Sequence, residues 1–125
     1  MTKSAWSVLV FGLYMSFLGL GMLLIPNPVI GIVGLPATEE VWIRIAGMLL
    51  IGLGYYYVQM ARLEFKPFFR FSAQARGTVI LFFALFVLLD LSGPGLLVLG
   101  LIDLLAAIWT ALMLREEGEP LLKFW

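Results

Sequence analysis

From Ser4 to Thr38 the chain carries no charged side chain. Within that stretch, Ala5 to Ile25 reads AWSVLVFGLYMSFLGLGMLLI. It is long and apolar enough to cross a bilayer as one helix, which takes roughly 20 residues for about 30 Å of hydrocarbon. Three later stretches share this character: Val41 to Leu63, Ser72 to Leu91 and Gly95 to Leu114. None alternates over about ten positions as a barrel strand would. Composition agrees. Hydrophobic residues make up 62% of the 125 residues and charged ones 13%, with a mean hydropathy of +1.05. A soluble domain is nearer to about 45–50% apolar, because each surface helix turns a polar face to water. Too few polar side chains are present here to furnish such faces. The expected fold is all-α: a single integral membrane domain over 1–125, built as a four-helix bundle with spans of about 5–25, 41–63, 72–91 and 95–114.

Two competing architectures are a soluble all-helical core and a bundle in which one hairpin is only half inserted. The second arises from the third span, where only Gly77 to Leu89 is free of charge. Arg76 is expected to snorkel to the surface so that this span is long enough. A cleaved signal peptide is disfavoured for the first span. The apolar run exceeds a signal core of about 7–15 residues, and MLLIP at its end offers no small-x-small site.

Basic residues orient the bundle, since cytoplasmic loops carry the excess of Lys and Arg. Arg62, Lys66, Arg70 and Arg76 lie in or beside the loop between spans two and three. An even number of spans puts Lys3, Arg115 and Lys123 on the same side, so both termini are expected to be cytoplasmic. Arg44 alone falls on the other side. The same loop is dense in aromatics, Phe65, Phe68, Phe69 and Phe71, which suits a segment lying along the headgroups. On the outer side, Pro26 and Pro28 stop the first helix. Thr38 is expected to N-cap the second, with Glu39 and Glu40 in its first turn. Leu91 to Pro94 is so short a turn that spans three and four should be antiparallel neighbours.

Several chemistries are excluded. With no cysteine and no histidine, the chain lacks thiol chemistry, disulfides, His-based acid–base work and ordinary haem or transition-metal ligands. No metal site and no cofactor are expected. Net charge is zero and the basic residues are membrane-proximal, so nucleic-acid binding has no support. What remains is a small set of polar groups inside the spans. Asp103 lies eight residues into the fourth span, about 12 Å deep. A carboxylate there costs several kcal/mol, about 2.5–3.5 on insertion scales, unless it faces protein or water. Its expected partner is Arg44, about 5 Å below the outer boundary. Asp90, at the outer end of span three, competes for that cation. The resulting cluster of Arg44, Asp90 and Asp103 is the main structural expectation.

Helix faces suggest how the interior is shared. Gly100, Asp103, Ala107, Thr110 and Leu114 fall at three-to-four spacing on span four. Gly12, Ser16 and Gly19 make a smooth face on span one, where neighbours can approach closely. On span two the corresponding stripe is expected to be Arg44, Gly47, Ile51, Tyr55 and Gln59. Of Tyr55, Tyr56 and Tyr57, this stripe selects Tyr55 as the inward one, the others joining an interfacial aromatic belt. With Gln59, Thr110 and Tyr14 it would line a small amphipathic pocket suited to a hydrophobic ligand with one polar head.

The pattern of GLYMSFLGLGMLLIPNP, RIAGMLLIGLGYYY and VLGLIDLLAAIWTALMLR resembles the small bacterial four-helix membrane proteins of the DoxX-like kind. The resemblance spans nearly the whole chain. It implies the four-span fold and a bacterial inner-membrane location, with loose links to respiratory or redox functions, and it carries over no catalytic residue. The expected role is that of a non-enzymatic inner-membrane protein that binds a lipid-like molecule or serves as an accessory subunit. Association as a homo-dimer or with a partner membrane subunit fits the spare helix faces. The alternatives are a small oligomeric transporter or proton-coupled carrier using Asp103 and Arg44, and a membrane enzyme with Asp103 or Asp90 as acid and Tyr55 as donor.

Overall fold

The computed structural model describes residues 1–124, and every regular element among them is a helix. In chain order the helices are α1 (Lys3–Leu24), the short α2 (Pro26–Gly31), α3 (Trp42–Arg62), α4 (Lys66–Leu88) and α5 (Leu96–Glu116). The four long helices are each long and apolar enough to cross a membrane. Their outward faces are lined with large apolar side chains, among them Phe17, Leu49, Leu81 and Leu105. Such a surface suits hydrocarbon, not water.

The local chemistry of the helix ends explains their positions. Thr2 N-caps α1, its hydroxyl accepting from the Ala5 amide at 3.3 Å. Pro26 stops α1 and occupies the first turn of α2. At the far end of α3 the Phe65 amide reaches back to the Met60 carbonyl and that of Glu64 to Ala61, with Glu64 left-handed at φ 55°. This is the closure that normally uses glycine. Asp90 (φ 61°) closes α4 in the same way, and aspartate tolerates that region better than most residues.

Helices α1 and α3 pack so closely that their backbones touch. Gly19 faces Gly47 and, two turns along, Gly12 faces Gly54. A methyl added to Gly19 would stand 2.5 Å from the Gly47 carbonyl oxygen, and one added to Gly47 would stand 2.6 Å from that of Gly19. This is the smooth-face packing expected of Gly12, Ser16 and Gly19. Helix α5 lies against α4, with Gly100 over Ile80, so the short outer turn does join neighbours. Helix α1 also meets α5, through Ser7 and Thr110, and so links the two hairpins. The start of α1 and the end of α5 lie at one end of the bundle, where Ser4 bonds Glu117. At the opposite end the segment after α2 brings the Val33 carbonyl against Gly95 at the start of α5.

Two local expectations are corrected. Helix α4 starts at Lys66, not near residue 72, so the aromatic segment Phe68 to Phe71 is its first turns and not a separate surface loop. Thr38 does not cap α3. Its amide donates to the Asn27 side chain at 2.9 Å and its hydroxyl accepts from the Glu40 amide at 3.1 Å, a turn that holds Glu39 and Glu40 ahead of a helix beginning at Trp42.

Candidate functional site

On α4, Phe69, Ser72 and Arg76 share one face by their spacing and turn it inward. Arg76 is only 3% exposed. Its Nη2 donates to the Thr110 hydroxyl at 3.0 Å and to Ser72 Oγ at 3.3 Å, and its Nε donates to the Ser72 carbonyl at 3.3 Å. Thr110 Oγ1 and Ser7 Oγ share a hydrogen bond of 2.8 Å, and Ser7 also donates to the Ser4 carbonyl. The guanidinium lies over the Phe11 ring, 4.5 Å from its centroid, and 5.6 Å from that of Tyr57. One arginine therefore touches all four long helices. Its Nη1 is buried and has no hydrogen-bond partner.

The snorkelling expected of Arg76 is thus corrected. With α4 beginning ten residues earlier, Arg76 stands about 15 Å along the helix, too far in to reach the end. The interior supplies hydroxyls and aromatic faces instead.

Asp103, one turn from Ala107 on the small-residue face of α5, is half-buried. The cation of the same centre is Arg76, whose covering Phe11 ring lines a cavity with Asp103. The two do not meet directly. Among the described residues the ion pairs are those of Lys66 with Glu64 and Glu117, and Asp103 takes part in no hydrogen bond. The expected cluster of Arg44, Asp90 and Asp103 does not form. Arg44 is exposed and donates to the Leu23 carbonyl, where a cation at a helix C-terminus belongs. Asp90 is exposed in the turn after α4.

Two cavities flank this centre. One, of about 240 Å³, is a cleft between α1 and α5 lined by Ser7, Phe11, Tyr14, Ala106 and Trp109. The other, of about 210 Å³, is lined by Phe11, Tyr14, Met15, Leu50, Phe83 and Asp103. Phe11 and Tyr14 form walls of both. Of the residues expected at a pocket, Tyr14 and Asp103 line one cavity together, whereas Thr110 lines neither and is bonded to Ser7 and Arg76. Tyr55 does not join them: it is 60% exposed and Tyr56 is 58% exposed, whereas Tyr57, at 8%, is the inward tyrosine, packed edge-on to Phe68. The buried stripe of α3 is Ile43, Gly47, Gly54, Tyr57 and Ala61, which runs beside the one drawn through Arg44. Gln59 is half-buried on α3 and lines neither cavity.

Sequence reasoning passed over a second polar cluster, at the end where α1 starts and α5 stops. The Lys66 ammonium donates to Glu117 Oε2 (2.7 Å), Ser4 Oγ (2.8 Å) and Thr2 Oγ1 (2.8 Å). Glu64 accepts from the Thr2 amide at 2.7 Å, and Glu117 accepts from the Ser4 hydroxyl at 2.6 Å. Burial alone would raise both carboxyls. Thr2 and Lys66 outweigh it at Glu64, and Lys66 and Ser4 outweigh it at Glu117, so both are held below the ordinary glutamate value. Beside this cluster the chain after α5 folds back on α4. Gln74 donates to the Leu121 carbonyl and Arg70 to that of Lys123.

No set of three His, Cys, Asp or Glu side chains among the described residues could hold a metal ion. Comparison with protein-family models, curated proteins and solved structures found no match to this chain.

Proposed function

We propose that the protein is a multi-pass membrane protein that binds a lipid-like molecule within its bundle, in the inner membrane of a bacterium with both termini in the cytoplasm. The observation that carries the binding reading is the buried Arg76 guanidinium with its unpartnered Nη1, covered by a Phe11 ring that also walls a cavity lined by a carboxylate with no hydrogen bond. Each unmet polar group inside an apolar bundle costs free energy. A guest that supplies the missing partners would recover it. The cavity walls, aromatic and aliphatic around one polar locus, match what a hydrophobic molecule with one polar head requires. The cleft between α1 and α5 shares the Phe11 and Tyr14 walls with that cavity, so displacement of those rings would give such a molecule a route in from the bilayer. The orientation rests on the basic end, where Lys3, Arg62, Lys66, Arg70, Arg115 and Lys123 gather. The likeness of the glycine-rich spans to DoxX-like proteins belongs to the same proposal.

Binding is favoured over transport because the side chains that line the two cavities are apolar or aromatic apart from Ser7, Tyr14 and Asp103, too few polar groups for an aqueous path. Native mass spectrometry of gently purified protein tests the reading. Wild type should carry a small molecule that Arg76→Gln and Asp103→Asn lose while keeping native helicity. Wild type that is empty, or variants that retain the same adduct, would overturn it.

A further inference from the structure

Resting on the binding reading above, we infer that the site selects an uncharged head group bearing an oxygen acceptor, and rejects anionic amphiphiles. The inference comes from charge balance around Arg76 and Asp103. Arg76 is buried at 3% exposure and cannot shed its proton in a protein. Asp103 is the carboxylate of the adjoining cavity, whose wall includes the Phe11 ring that lies on the guanidinium. The remaining groups around the guanidinium, Ser7, Ser72, Thr110, Tyr57 and Phe11, are neutral. With Asp103 ionised the locus is balanced before any guest arrives. A carboxylate or phosphate head would bring one charge too many into an apolar bundle, where an uncompensated charge is strongly disfavoured.

A neutral oxygen meets no such penalty. Nη1 is a donor without an acceptor, so a carbonyl, ether or hydroxyl oxygen completes it. A hydroxyl can in addition donate to Asp103, whose carboxylate has acceptor capacity to spare. Among the described residues the two groups form no ion pair, so neither is closed off by the other. Phe11, which lies on the guanidinium and walls both cavities, is the side chain that such a head must displace.

Tryptophan quenching tests this, because Trp109 lines the cleft. With Trp6, Trp42 and Trp125 replaced by Phe, the protein in neutral detergent would be titrated with three bromine-labelled probes of equal chain length. They are a long-chain alcohol, the matching carboxylate held ionised at alkaline pH, and the matching ammonium. Wild type should take the alcohol roughly tenfold more tightly than the carboxylate. Asp103→Asn leaves a net positive locus and should reverse that order. Arg76→Gln leaves a net negative one and should favour the ammonium, which keeps the test alive if either variant alone fails to fold. A wild type that binds the carboxylate as well as the alcohol, or folded variants that keep the wild-type order, would overturn the inference while leaving lipid binding intact. Absence of saturable quenching by all three probes would remove the binding reading itself.

Discussion

Helix α1 has two seams, and they differ in kind. Toward α3 it presents Gly12, Ser16 and Gly19, and the backbones meet with no space between them. Toward α5 it presents Ser7, Phe11 and Tyr14, and the contact is a hydroxyl pair flanked by cavities. In an apolar solvent there is no hydrophobic force to press helices together. Close van der Waals packing and hydrogen bonds do that work. The first seam uses packing alone, tolerates nothing larger than hydrogen at its glycines, and is a structural joint. The second is looser, holds the buried polar groups, and is where a guest could be accommodated without separating backbones.

The largest expected effect comes from breaking the tight seam. Gly19→Val places a branched side chain against the Gly47 carbonyl, which cannot rotate away. Overpacking of this sort costs about 3 kcal/mol, and it should appear as a much lower thermal midpoint by circular dichroism in micelles. An unchanged midpoint would mean that the backbones are not in contact. Second in size is Arg76→Met, which removes the bonds to Ser72 and Thr110 and leaves Asp103 without its cation. A loss of about 2 kcal/mol is expected, between that of plain hydrogen bonds and that of a direct buried pair. The double variant Arg76→Met with Asp103→Asn should lose less than the sum of the singles, by about 1 kcal/mol. Strict additivity would show that the two residues do not communicate.

Thr110→Val keeps shape and deletes the hydroxyl shared by Ser7 and Arg76. It should cost about 1 kcal/mol and, unlike the glycine change, should increase labelling in the α1–α5 cleft while sparing α1–α3. Smallest is the cap at the terminal end. Glu117 and Glu64 titrate below the ordinary glutamate value of 4.5. Their contribution is therefore fully present above that pH and fades as pH falls through the lower folded value. Glu117→Gln should weaken the cap by less than about 1 kcal/mol. It should also flatten the acid dependence of amide exchange at Ser4 and Ala5. Persistence of that dependence in the variant would place the titration elsewhere.

The four long apolar helices and the pairing across the short turn were legible because length, hydropathy and turn length act locally. The glycines at 12 and 19 announce a flat face whatever lies opposite. The polar site was half legible. Asp103 and Thr110 stood out on α5 because they interrupt an apolar run, and Tyr14 was placed beside them. Arg76 was misplaced because its neighbours Lys66 and Arg70 make it look like the last member of a surface group, and sequence does not show that α4 begins as early as Lys66. That error passed to Arg44, the one cation then left for Asp103, and from Arg44 to Tyr55, since the α3 stripe was drawn through the wrong residue. The glycines at 47 and 54 would have led to Tyr57 instead. The cap escaped notice because its members meet only in three dimensions, Ser4 and Glu117 being 113 positions apart.

That separation bears on how the molecule is completed. A chain made from its N-terminus can join α1 to α3 as soon as both exist. Lys66 follows immediately, but the carboxylate it holds most closely lies 51 positions later. Until Glu117 emerges, the Lys66 ammonium and the Ser4 hydroxyl lack their carboxylate, so a chain interrupted before the end of α5 cannot display the closed cap.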